Sequence, residues 1–278
     1  MRLRLDLAYD GTDFHGWAAQ PSLRTVQGLL EAALAQVLRL DAAAVTCAGR
    51  TDTGVHARGQ VVHVDVEEHV LVDAAGRSTD PPVLAVRRRL NGVLPDDVRV
   101  RSVAEAAEGF DARFSAMWRR YAYRIADDPA VVDPLTRRTV LTWPRRLDLD
   151  AMNQAATGLV GEHDFAAFCK KREGATTVRR LLDLEWRRDA DGLAVARVRA
   201  DAFCHHMVRA MVGAMLAVGE GRREPAWASH VLAQGDRDPA VVVVPALGLT
   251  LEEVGYPPDH ELAAQAAAAR VVRVLPRG

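Results

Sequence analysis

"RLRLDLAYDGTDFHGW", residues 2–17, changes character half-way, and that change decides how the chain folds. Leu3, Leu5, Leu7 and Tyr9 fall on one side and Arg2, Arg4 and Asp6 on the other, the period of two that a half-buried strand requires. From Asp10 the alternation stops, and Gly11, Gly16 and Pro21 mark a loop. Beyond it Val26, Leu29, Leu30, Ala33, Leu34, Val37 and Leu38 recur at helical spacing, which predicts an amphipathic helix opened by Thr25.

The same order returns later in the chain. "ARVRADAFCHHMV", residues 196–208, runs from a strand pattern through a loop bearing Phe and His into a helix striped by Met207, Val208, Met211, Val212, Met215 and Leu216. Further strands are expected at 59–66, 119–125, 181–187 and 193–201, with a helix near Val83 to Leu90. Residues 67–82, acidic and unpatterned, read as a connector, and 126–138, "ADDPAVVDPLTRR", as turns. Interleaved strands and helices of this kind predict an α+β fold: a mostly antiparallel mixed sheet with helices on one face, in two similar halves flanking a central cleft. The halves are placed at 1–110 and 111–278.

Composition excludes several classes. No apolar run approaches the roughly 18 residues a membrane helix needs, and "MRLRLDLAYD" lacks a secretory core, so a cytoplasmic location is expected. Cys47, Cys169 and Cys204 are odd in number without C-x-x-C spacing, which argues against a disulfide framework or a zinc site and for buried thiols. A net charge of −1 excludes a polycationic nucleic-acid binder and leaves room for a local basic cleft. Arginine doublets at 137–138, 145–146, 179–180 and 187–188 read first as solvated faces, and together with Arg119, Arg120 and "KKR" at 170–172 they still offer phosphate contacts. No Gly-rich phosphate loop follows a strand, so no nucleotide cofactor is expected.

The chemistry concentrates in "CAGRTDTGVHARGQVVHVD", residues 47–65, where Asp52 stands as the single carboxylate in a loop that feeds a strand. Arg50, His56 and Arg58 surround it in sequence and are expected to hold it ionised, which suits a nucleophile better than a proton donor. The Asp-Thr-Gly of aspartic proteases is a rival reading, but those enzymes need a second copy to share a proton, and none is present. "YDGT", residues 9–12, fails as an aspartyl-phosphatase motif because Ala8 stands where its nucleophile belongs. His205 and His206 are adjacent and so diverge by about 100° on a helix, which makes a poor metal site. One of the two is expected to be buried, the other to cap or face solvent. Tyr121, beside Arg119 and Arg120, suits either a core strand or a surface that stacks bases and holds phosphates. Arg209 reads as an interior cation in need of a carboxylate.

The chain resembles the tRNA pseudouridine synthases of the A type. The likeness is carried in order by "YDGTDFHGW" (9–17), "AGRTDTGVHARGQVVH" (48–63), "LNGVLPDDVRV" (90–100), "FDARFSAMWRRYAYRI" (110–125), "GEHDFAAF" (161–168), "FCHHMVRAMVG" (203–213) and "PALGLTLEEVGYP" (245–257). Ala18 departs from it where a glutamine is usual. The resemblance implies an isomerase acting on uridines 38 to 40 in the anticodon stem-loop of tRNA, with no cofactor and no metal, working as a homodimer. It implies Asp52 as the catalytic aspartate, Tyr121 as the ring that stacks on the target base, Arg209 as the partner of Asp52, and Arg50 as the residue that helps evert the nucleotide. Whether Asp52 attacks C6 of the base or C1′ of the sugar stays open, as does a catalytically silent RNA-binding module built on the same cleft.

Overall fold

A computed structural model describes residues 1–170, 176–236 and 238–271. The chain begins β1 (Arg2–Tyr9), α1 (Val26–Leu38), β2 (Thr46–Cys47), β3 (His56–Asp65), α2 (Glu68–Ala75), α3 (Pro82–Val93) and β4 (Val98–Glu105). It continues through β5 (Trp118–Ala126), β6 (Leu141–Thr142), α4 (Leu149–Thr157), β7 (Gly161–Asp164), β8 (Val178–Arg188), β9 (Ala194–Ala200), α5 (Met207–Gly219) and α6 (Trp227–Gln234), and closes with β10 (Leu249–Gly255) and α7 (Leu262–Ala269). The fold is α+β, and its residues divide into two compact units: 1–117 with 251–271, and 118–250.

In the first unit the strands lie in the order β4, β1, β3, β10, with β2 paired to β3. β1 runs antiparallel to both neighbours, Leu5 facing Val62 on one side and Val103 on the other. Its alternation is realised fully: Leu3, Leu5 and Leu7 are completely buried and the residues between them are half-buried. Each of those leucines contributes about 2 kcal/mol by leaving water. α1 starts where Thr25 accepts the Gly28 N–H, as its position predicts. Proline at the head of α3 takes a place where its missing N–H costs nothing. α3 packs on β4, with α1 and α2 packed against it.

The segment read as a connector contains α2, which is a correction. Glu68–Ala75 buries only Leu71, Ala74 and Ala75, a stripe one turn long, and its entry at Glu67 has no side-chain cap to announce it.

In the second unit the order is β5, β9, β8, β7, antiparallel throughout, with β6 parallel beside β5. Twelve of the thirteen residues of α5 are buried, so it is a core helix and not the one-faced helix its stripe suggests. α4 packs on β8 and on α5. Among the described residues no helix is long and apolar enough to cross a membrane.

Cys47 is a buried thiol outside any disulfide, as expected, but Cys169 and Cys204 are joined in a disulfide. The turn after Phe168 meets the loop before α5, where the Lys170 N–H donates to the His205 carbonyl at 2.9 Å. Contact between residues 35 apart in sequence leaves no trace in cysteine spacing.

Candidate active site

Asp52 is half-buried in the loop between β2 and β3, as the sequence implies. Backbone hydrogen bonds fix that loop. The Trp17 N–H donates to the Thr51 carbonyl at 3.0 Å, the Val55 N–H to the Asp52 carbonyl at 3.1 Å, and the Gly54 N–H to the Phe14 carbonyl at 3.3 Å. The "YDGTDFHGW" segment therefore braces the aspartate loop. Gly16 shows why a glycine is needed there: with φ at +88°, a Cβ on it would stand 3.0 Å from the Thr51 carbonyl oxygen and 3.2 Å from the Thr53 nitrogen.

Two of the three cations expected to support Asp52 are engaged elsewhere. Arg58 is exposed and pairs with Glu252 at 3.0 Å. His56 is buried, its Nδ1 accepting the Gly11 N–H at 3.0 Å. That nitrogen also lies 3.1 Å from Asp10. A nitrogen that accepts from a backbone amide carries no proton of its own, so the contact with Asp10 is not an ion pair in that tautomer. Arg50 is exposed and makes no hydrogen bond or ion pair among the described residues.

Tyr9 and Gln60 lie against the loop, and with Thr51 of the loop itself they are buried and joined through the Tyr9 hydroxyl, which bonds to Thr51 Oγ1 and accepts from Gln60 Nε2. Burial pushes the Tyr9 phenol well up, so it stays protonated. Periodicity had assigned Tyr9 to an apolar face and said nothing of Thr51 or Gln60. The available signal was a glutamine inside the strand-forming run "RGQVVHV".

In the second unit Tyr121 is buried on β5, its ring meeting Phe203 edge-on at 5.1 Å between centroids. Arg119 lies on the same side of the strand, 8% exposed, and its Nη1 donates to the Asp201 carbonyl at 2.7 Å. Arg120 points to the opposite side. Strand alternation thus splits the doublet that was expected to form one aromatic and basic surface with Tyr121. Arg209, half-buried in the first turn of α5, donates its Nε to the Val244 carbonyl at 2.7 Å. Tyr123 donates to the Pro245 carbonyl at 2.7 Å, and burial raises its phenol too.

His205 and His206 are both half-buried, with ring centroids 4.0 Å apart, so neither is the core histidine expected. His206 occupies the N-cap position of α5 in a left-handed conformation without a side-chain cap. Of "KKR", Lys171 and Arg172 lie outside the described residues.

A family profile described as tRNA pseudouridine synthase matches residues 7–115 and 155–257. The chain belongs to the tRNA pseudouridine synthase family. It is 59% identical over 276 residues to a protein of Frankia casuarinae named tRNA pseudouridine synthase A, covering 99% of this chain and 97% of the relative. A Streptomyces griseus protein of the same name is 60% identical over 278 residues, covering 99% and 95%, and one from Mycobacterium leprae is 51% identical over 276 residues, covering 98% and 96%. As a member of this synthase family the protein is an isomerase. The first matched stretch holds Arg50 and Asp52 and the second holds Arg209, while Tyr121 lies between the two.

Proposed function

We propose that the protein converts uridine to pseudouridine in the anticodon stem-loop of tRNA, with Asp52 as the nucleophile. The observation that carries this reading is the aspartate loop itself. It presents one half-buried carboxylate on a braced backbone, two residues from an exposed arginine with no ion-pair partner among the described residues.

The reaction breaks the N1–C1′ bond, turns the base and rejoins it through C5. It moves no net electrons and no phosphate, so it calls for no cofactor. It requires a carboxylate beside C6 or C1′ of the uridine, and either point of attack uses the same charged group. A shielded pocket keeps the detached base from being lost.

The target must first leave its stack, at a cost of a few kcal/mol. Tyr121 offsets part of that cost by stacking, Arg50 helps expel the nucleotide, and Arg209 supplies the countercharge for Asp52. In this reading the half at 1–110 brings the nucleophile and the half at 111–278 completes the cleft. Recognition of a folded RNA depends on shape and phosphate contacts over a wide surface. One chain of net charge −1 offers little for that, so the working form is a homodimer in the cytoplasm.

Position-resolved pseudouridine mapping of unmodified tRNA incubated with the protein tests the proposal. New pseudouridine confined to the anticodon stem-loop is the expected result. Binding of tRNA with no change in any uridine would point to a silent binding module, and pseudouridine confined to another arm would refute the assignment of substrate.

A further inference from the structure

Gln60 is fully buried near the middle of β3 among apolar neighbours, where an aliphatic side chain would pack at no polar cost. Its Nε2 donates to the Gly49 carbonyl at 2.7 Å and to Tyr9 Oη at 3.3 Å. Its Oε1 accepts the Val61 N–H at 3.2 Å. Tyr9, 5% exposed, shares a 2.8 Å hydrogen bond with Thr51 Oγ1, and Thr51 is 7% exposed.

Two buried polar side chains, Gln60 and Tyr9, thus hold the loop at two points, the Gly49 carbonyl and the Thr51 hydroxyl. Those points flank Arg50, and the second immediately precedes Asp52. The Trp17 N–H takes up the Thr51 carbonyl. Between the clamps the backbone at 49–51 has little freedom to turn, so the directions in which Arg50 and Asp52 leave it are set from beneath. Core stability alone does not explain the choice of residues, because a buried polar network stabilises little over an apolar core while fixing one geometry. Displacement of a reacting group by about 1 Å costs about 100-fold in rate, which is the scale on which such a clamp matters.

We propose that Tyr9, Gln60 and Thr51 form a positioning network that aims Asp52 at the target nucleotide. The proposal rests on the reading of Asp52 as the nucleophile. None of the three touches substrate in this account; they act on the rate through the loop.

The test uses the full chain and unmodified tRNA, with saturating turnover, tRNA affinity and Tm measured for each protein. Thr51→Val removes the hydroxyl while keeping the shape, and Thr51→Ser restores it. The expected result is a kcat about 30-fold lower for Thr51→Val, with tRNA affinity within about 2-fold of the parent and kcat largely recovered in Thr51→Ser. Tyr9→Phe and Gln60→Met should lower kcat in the same way, and Thr51→Val combined with Tyr9→Phe should be little worse than Tyr9→Phe alone, since that variant already lacks the bond to Thr51.

Full kcat in folded Thr51→Val and Tyr9→Phe proteins overturns the proposal, as does a loss of kcat that only follows Tm and tRNA affinity downward. If Gln60→Met does not fold, the two milder variants decide. An unsubstituted protein that forms no pseudouridine overturns the functional reading and this inference together, whereas an active parent with unimpaired variants overturns the inference alone.

Discussion

Gly213 on α5 faces the chain at Val242, where a Cβ would stand 1.8 Å from the carbonyl oxygen. No rotamer relieves a clash with backbone, so Gly213→Ala is expected to cost about 2 kcal/mol or more and to lower Tm by roughly 5 °C in a thermal melt. An unchanged melt would show that α5 and the 242 segment can separate at no cost. The "FCHHMVRAMVG" block displays this glycine, yet the sequence offers no sign of what presses on it. The place of Asp52 in a loop before β3 was legible for a different reason. A lone carboxylate amid Thr, Gly and Arg just before a strand is visible as composition, without knowledge of any contact. The partners of Arg58, His56 and Arg119 were not legible, because Glu252, Gly11 and Asp201 are each far away in sequence.

Asp127, just past the end of β5, ties that strand to β8. Its carboxylate receives both amino groups of Arg188, and the Leu147 N–H donates to it at 2.8 Å. Burial alone would raise its pKa, but the hydrogen bonds and charges of Arg188, together with Leu147 and Arg146, outweigh that and hold it below the ordinary aspartate value. A depressed folded-state value means that the stabilisation is fully present above about pH 4, the value of an unfolded aspartate, and is lost as pH falls through the lower folded value. Asp127→Asn is expected to cost about 2 kcal/mol at pH 7, with the Tm gap to the parent protein narrowing steadily below about pH 4. A gap independent of pH would mean that the ion pair contributes nothing beyond shape. Elements with a strong period, such as β1, α1 and β5, were readable; β4 went unread although Val98 and Val100 alternate with Arg99 and Arg101, and α2 was not readable. α2 is too short to repeat its pattern, and α4 went unread, its entry marked by Asp148, which caps it by accepting the Ala151 N–H. The 193–201 and 181–187 expectations found their strands with ends shifted by up to three residues.

The chain returns to its first unit after its second, since residues 251–271 rejoin 1–117. That discontinuity lay beyond sequence reading: β10 takes its place beside β3 by pairing, and its own residues carry nothing that names a partner. The α+β class was legible because strand and helix periods alternate along the whole length. The homodimer proposed here is expected to sediment at twice the chain mass at micromolar concentration, and a monomer under those conditions would contradict it. The proposed chemistry depends on the negative charge of one side chain, and Asp52→Asn removes that charge while keeping its size. Release of tritium from tRNA carrying 5-tritiated uridine is predicted to fall by about 10⁴-fold or more in that variant, with tRNA affinity little changed. Turnover at the parent rate would contradict the assignment of Asp52.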